Sequence, residues 1–137
     1  MCIRDRAESR AELVQSEGGT RFVTLAPGDR ALVPTGFKAR LPAGHVAEIR
    51  MRSSVAWKHG LTVPNAPGTV DADYPGEWFV LVLNAGPADA RILEGERIAQ
   101  AVILRYAVPV WRTGQVGTTT QRTGGLGSTS EPPPERG

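Results

Sequence analysis

A chain of 137 residues is the size of one domain with a single core. Its 16 Lys and Arg against 14 Asp and Glu leave a net charge of +2, which excludes the strong positive field of a nucleic-acid or membrane-surface binder, and its 16 Gly and 11 Pro ask for many turns and hence short strands. Cys2 is the only cysteine, no apolar run approaches membrane-spanning length, and residues 1–10 are too polar for a secretory signal; the expectation is a soluble cytoplasmic protein without disulfides.

Residues 1–8 are charged and aperiodic and read as a disordered or non-native N-terminus, with no structure placed before residue 10. A β domain is expected over residues 9–112. Arg21–Leu25 predicts a strand ending in the turn Ala26-Pro27-Gly28-Asp29; Ala31–Thr35 follows as an apolar run, and Leu41-Pro42-Ala43-Gly44 turns the chain again. His45–Arg52 alternates, with Ala47, Ile49 and Met51 on one side and Glu48, Arg50 and Arg52 on the other, the period of a half-buried strand. Ser53–Lys58 lacks Gly and Pro and predicts one or two helical turns with Ser53 near the N-terminus. Leu61–Pro64 is a short strand, Trp78–Leu83 a continuously apolar and therefore buried central one, and Arg91–Leu93, Arg97–Tyr106 and Val108–Trp111 complete the set. Many short strands with almost no helix argue for a sandwich, jelly roll or barrel. From Thr113 to Gly137 the composition turns to Gly, Thr, Ser and Pro without apolar periodicity, as in a flexible arm.

The stretch Pro64–Glu77 carries the most chemistry. Asn65-Ala66-Pro67-Gly68 and Asp73-Tyr74-Pro75-Gly76 are both turn-forming, and the Thr69-Val70-Asp71 segment between them predicts a hairpin with Asp71 at its exit and Tyr74 three residues on. Backbone groups left unpaired by the prolines can read the edge of a flat polar ligand; a plain surface turn with locally bonded aspartates is the alternative. Arg50-Met51-Arg52-Ser53-Ser54 sets cations and hydroxyls before a helix start, which suits phosphate oxygens and equally suits an N-cap serine beside solvated arginines. Gly95-Glu96-Arg97-Ile98-Ala99-Gln100 is a turn entering a strand. Arg122-Thr123-Gly124-Gly125-Leu126-Gly127-Ser128-Thr129 can fold its backbone around phosphates but lacks the Gly-Lys-Ser/Thr of a Walker loop. One cysteine and two separated histidines, His45 and His59, leave no zinc spacing.

In order and content these segments resemble the homotrimeric dUTPases, the dUTP nucleotidohydrolases. Four of the family's five motifs are matched, by Arg52-Ser53-Ser54-Val55-Ala56 with Lys58-His59-Gly60, by Asn65 through Gly76, by Gly95 through Gln100 and by Arg122 through Thr129; Leu32-Val33-Pro34-Thr35-Gly36 is also typical. The resemblance spans roughly Ser9 to Ser130. It implies an all-β fold, a distorted jelly roll or β-barrel with one short helix and a C-terminal arm, and Mg²⁺-assisted hydrolysis of dUTP to dUMP and pyrophosphate. Asp71 would be the general base for the water attacking the α-phosphorus. Asn65 would read uracil, Thr69 and Val70 would line the slot, and Tyr74 would lie against the deoxyribose. Arg52, Ser53, Ser54 and Gln100 would hold the phosphates, and Arg122, Leu126, Gly127 and Ser128 would close over them from another chain of a homotrimer with shared sites. Mg²⁺ would ride mainly on the phosphates and water.

Two departures stand out. The family's first motif carries an Asp that supports the metal's waters; here Glu12, in Arg10-Ala11-Glu12-Leu13, is the nearest counterpart, and the chain leaves no room for the family's N-terminal strand. Leu126 replaces the usual Phe over the uracil, which forgoes about 0.5–1.5 kcal/mol of aromatic pairing. A dCTP deaminase of the same fold, with its own Arg-Ser-Ser segment, and a non-catalytic dUTP-binding homologue are the competing readings.

Overall fold

The computed structural model describes residues 2–4, 14–115 and 117. Among them are ten strands and one short helix: β1 (Cys2–Arg4), β2 (Val14–Glu17), β3 (Thr20–Leu25), β4 (Arg30–Pro34), β5 (His45–Met51), α1 (Ser53–His59), β6 (Leu61–Thr62), β7 (Gly68–Asp71), β8 (Phe79–Asn84), β9 (Ala90–Leu93) and β10 (Arg97–Arg105). All pairings are antiparallel, in three sheets of order β1-β10-β5-β7, β2-β3-β9 and β4-β8-β6. This is an all-β architecture, as the density of turns argues, and it agrees with the jelly roll that the family resemblance implies.

Each sheet turns an apolar face inward. Ala47 and Ile49 of β5, Ala99 and Ala101 of β10, Val23 and Leu25 of β3, Ile92 of β9, Val33 of β4 and Val80 and Val82 of β8 meet in one buried cluster, closed by Trp78 and by Val55 of α1. The period-two pattern of β5 predicted this inner face; Met51 joins it half-buried. Asn84, fully buried, ties three segments together. Its Nδ2 donates to the carbonyls of Leu25 and Ala88, both at 2.8 Å, and its Oδ1 accepts from Gly86 N–H at 2.9 Å. No donor or acceptor of that amide is left unpaid for by a bond, as burial demands.

Four expectations need correction. Residues 2–4, within the stretch expected to carry no structure, form β1, which pairs with β10. β2 is an additional strand, joined to β3 through Gly18 and Gly19, whose φ values of 57° and 83° are those of a two-residue hairpin turn. Val108–Trp111 forms no strand: no strand among the described residues pairs with it, and it is exposed coil, Trp111 at 88%. β8 is central, as expected, but only alternate residues are buried, with Phe79, Leu81 and Leu83 facing out.

Candidate active site

The Pro64–Glu77 stretch is organised by its neighbours more than by itself. Val63 C=O accepts Ala66 N–H at 3.0 Å, Asp71 C=O accepts Tyr74 N–H at 3.2 Å and the Ala66–Pro67 bond is cis, so the hydrogen-bonded turns are Val63–Ala66 and Asp71–Tyr74, each two residues ahead of the expected Asn65–Gly68 and Asp73–Gly76. Between them β7 pairs with β5 rather than folding back on its own segment, which corrects the expected hairpin: the partner strand comes from residues 45–51. β7 is the edge strand of its sheet among the described residues, so its outer N–H and C=O groups face away from β5.

Register assigns the faces. Val70 stands opposite Ala47 and packs against the core, so it supports the slot from beneath. Thr69 and Asp71 stand opposite Glu48 and Val46 on the outer face, and both are exposed. Gly68 fits because a Cβ there would press on Ile49 Cβ at 3.2 Å. A cleft of about 190 Å³ lies between Thr69, Asp71, Tyr74, Trp78 and Phe79. Tyr74 OH donates to Glu77 C=O at 3.1 Å, and its ring covers Gly76, where a Cβ would sit 2.5 Å from the hydroxyl. Glu77 in turn accepts Gly36 N–H at 2.6 Å. A second cleft of about 180 Å³, lined by Asn65, Gly68, Thr69, Leu32, Phe79 and Leu81, adjoins the first, sharing Thr69, Val70 and Phe79 with it.

The cationic elements form a separate locus. Arg52 N–H bonds to Ile98 C=O at 3.0 Å and its guanidinium donates to Arg97 C=O at 2.9 Å, fastening the end of β5 to the start of β10. Arg52 is the N-cap of α1 and has no side-chain capping bond, so Ser53 and Ser54 are helical residues with exposed side chains; this corrects the alternative in which a serine caps the helix. The Arg52 carbonyl takes the N–H groups of Val55 and Ala56, and those of Ser53 and Ser54, one turn too early, have no intrahelical acceptor. A cleft of about 310 Å³ joins Arg52 and Ser54 to Lys58, His59, Glu96 and Arg97. Gln100 is exposed opposite Arg50, on the same outer sheet face as Thr69 and Asp71; the Arg50 side chain is paired with Glu48 between them.

The two loci are far apart within one chain. Asp71 lies opposite Val46 at the start of β5, whereas Arg52 follows its end, six positions further along. At about 3.3 Å per strand residue that is roughly 20 Å, and Ser53 and Ser54 lie beyond it. Glu12, Arg122, Leu126, Gly127 and Ser128 lie outside the described residues. Three further residues line these clefts without having been assigned a place there from sequence: Trp78 and Glu77 beside Tyr74, and Arg97 in the cationic one. Glu77 and Arg97 lie within the Pro64–Glu77 and Gly95–Gln100 segments, and Trp78 opens the apolar run before β8.

A family model described as dUTPase matches residues 20–130. The chain is 50% identical over 108 residues to a deoxyuridine 5'-triphosphate nucleotidohydrolase of Rhizobium meliloti, covering 78% of this chain and 68% of the relative. It is 46% identical over 108 residues to the enzyme of that name from Rickettsia akari, covering 78% and 73%. Among solved structures it is similar in fold to the Staphylococcus bacteriophage 80alpha dUTPase with dUpNHpp, with a TM-score of 0.72 over 94% of this chain and 90% of the other at 21% identity. The chain belongs to the dUTPase family.

Proposed function

We propose that this protein hydrolyses dUTP to dUMP and pyrophosphate, as a dUTP diphosphatase of nucleotide metabolism. The observation that carries the reading is the exposed carboxylate of Asp71 at the end of a sheet-edge strand, beside Tyr74 and a narrow cleft. Asp71 is the general base. It orients a water for in-line attack on the α-phosphorus and takes up its proton, and the pyrophosphate leaves from the opposite side. Asn65 and the free edge of β7 read the uracil edge, Thr69 and Val70 shape the slot, and Tyr74 lies against the deoxyribose and leaves no room for a 2′-hydroxyl. Arg52, Ser53, Ser54 and Gln100 grip the phosphate chain by charge and hydrogen bonds. Arg122, Leu126, Gly127 and Ser128 close over the nucleotide.

The metal is Mg²⁺. Among the described residues no group of three His, Cys, Asp or Glu side chains converges, and the donors at the cationic locus are cations and hydroxyls, which bind phosphate oxygens and leave the ion to them. That donor set fits an ion carried by the triphosphate and water, with Glu12 as its outer support. When bound, Mg²⁺ neutralises charge building on the phosphate oxygens.

The separation of Asp71 from Ser53 and Ser54 supports a homotrimer whose sites are shared, because a nucleotide held at one locus reaches the other only on a neighbouring copy. No described helix is long and apolar enough to cross a membrane, and we place the enzyme in the cytoplasm without a nucleic-acid or membrane partner. Pyrophosphate release from each of the dNTPs in Mg²⁺ tests the reading. Release from dUTP alone supports it; ammonia from dCTP would select the deaminase, and binding of a non-hydrolysable dUTP analogue without any turnover of dUTP would select a non-catalytic homologue.

A further inference from the structure

The Tyr74 ring is held by contacts that lead out of its own stretch of sequence. Its hydroxyl donates to the Glu77 carbonyl at 3.1 Å, and the ring covers Gly76. Residues 77 and 78 are in turn clasped by the turn that follows β4. Gly36 N–H donates to the Glu77 carboxylate at 2.6 Å. Thr35 N–H and Oγ1 donate to the Trp78 carbonyl at 3.1 and 2.7 Å, and Trp78 N–H donates to the Phe37 carbonyl at 3.1 Å. The Phe37 and Trp78 rings meet with 5.2 Å between centroids, and Trp78 is fully buried. The junction is therefore anchored in the core, and the exposed Tyr74 hangs from it. Of these links to residues 35–37, the one from Gly36 ends on a side chain, so a substitution at Glu77 removes it and leaves the backbone links in place.

We infer that Glu77 is a positioning residue for sugar discrimination: by tying its segment to Gly36 it fixes the wall that Tyr74 presents to the deoxyribose. The inference rests on the sugar-facing role given above to Tyr74. A steric wall rejects a 2′-hydroxyl only as far as it resists being pushed back, and an exposed ring on a surface turn resists little by its own packing. The hydroxyl bond fixes the ring to the Glu77 main chain, and the carboxylate bond fixes that residue to the turn after β4. A carboxylate that accepts a backbone N–H makes a charge-assisted bond, stronger than a neutral one. Without it the wall yields, and a ribonucleotide gains on a deoxyribonucleotide.

The test measures KM for dUTP and the Ki of UTP against dUTP hydrolysis, in the full-length protein and in Glu77→Ala, Glu77→Gln, Tyr74→Phe and the Glu77→Ala, Tyr74→Phe double variant. Loss of the bond in Glu77→Ala shifts the ratio of Ki to KM by roughly threefold to tenfold in favour of UTP. Glu77→Gln keeps an acceptor for Gly36 N–H and stays within about twofold of the unaltered ratio. Tyr74→Phe cuts the same series of contacts one link nearer the ring and shifts the ratio the same way. The double variant goes no further than the larger single effect, because both changes act on one ring. If Glu77→Ala does not fold, Glu77→Asp gives the same shift, since it keeps the charge but is too short to reach Gly36. A purely structural role would lower the unfolding midpoint and leave the ratio where it was. That result, additive effects in the double variant, or a Gln variant as permissive as Ala refutes the inference while dUTP hydrolysis stands. If the unaltered protein hydrolyses no dUTP, both readings fall.

Discussion

Asp71 owes its position to register. Opposite Val46 it lies on the outer face of the sheet, and one residue either way would point the carboxylate into the core beside Ala47. The turn that follows, closed by the Tyr74 N–H bond to the Asp71 carbonyl, brings the Tyr74 ring to the same cleft. A general base in this setting contributes on the order of 10²–10⁴-fold. Asp71→Asn keeps the shape and removes the proton acceptor, so kcat falls by at least ~10²-fold while the dissociation constant of a dUTP analogue barely changes. Steady-state pyrophosphate release with parallel calorimetry measures both; normal turnover in the variant removes Asp71 as the base. The stretch around Asp71, Tyr74 and Asn65 stands out in the chain because turn residues leave local signals, whereas the roles proposed for these residues come from the family resemblance. Ser53 stands near the helix N-terminus as expected, while the cap position itself falls to Arg52, whose φ of −71° and ψ of 138° are those of an N-cap residue.

Elements explain where local reasoning stopped. β5 was legible because its inner face alternates, and β10 because it is a long apolar run between a turn and a change of composition. The partnership of β7 with β5 was not, because pairing between distant segments leaves no mark on either one, and turn residues on both sides of β7 are equally those of a hairpin. β2 did carry a signal, the Gly18-Gly19 pair flanked by residues able to pair. Trp111 and its neighbours look like a strand by composition and are coil, with no partner strand among the described residues. The end of α1 shows the opposite case, a local residue fixed by a distant one. Gly60 closes the helix with φ 65°, its N–H bonds to Ala56 C=O at 3.1 Å, and its own carbonyl receives Ala85 N–H at 2.9 Å. A Cβ at that position would stand 2.5 Å from Gly86 Cα. Gly60→Ala therefore destabilises the fold by more than ~1 kcal/mol, combining backbone strain with a clash that no side-chain rotation relieves. Urea denaturation followed by circular dichroism reads the change, and an unaltered midpoint would show that the α1–β8 junction is looser than described.

At the scale of the molecule, one chain exposes an apolar strip beside its proposed site. Leu32 is 52% exposed on β4, in register with Leu81 of β8, and Phe79 lies on the same outer face, an apolar strip where solvent would favour polar residues. The same Leu32, Phe79 and Leu81 border the cleft that holds Asn65. Removal of the residues after Thr120 takes away Arg122, Leu126, Gly127 and Ser128; KM rises or turnover is lost while the thermal unfolding of the core stays in place. An unchanged KM would deprive the arm of its part in closing the site.

Mixing two inactive variants, Asp71→Asn and Arg52→Ala, tests the shared site most directly. Unfolded and refolded together in equal amounts, the chains assort at random, and a site drawing Asp71 from one copy and Arg52 from another is intact in about one quarter of cases, so roughly a quarter of the normal rate returns. If each chain supplied both residues to its own site, the mixture would be as inactive as either variant alone.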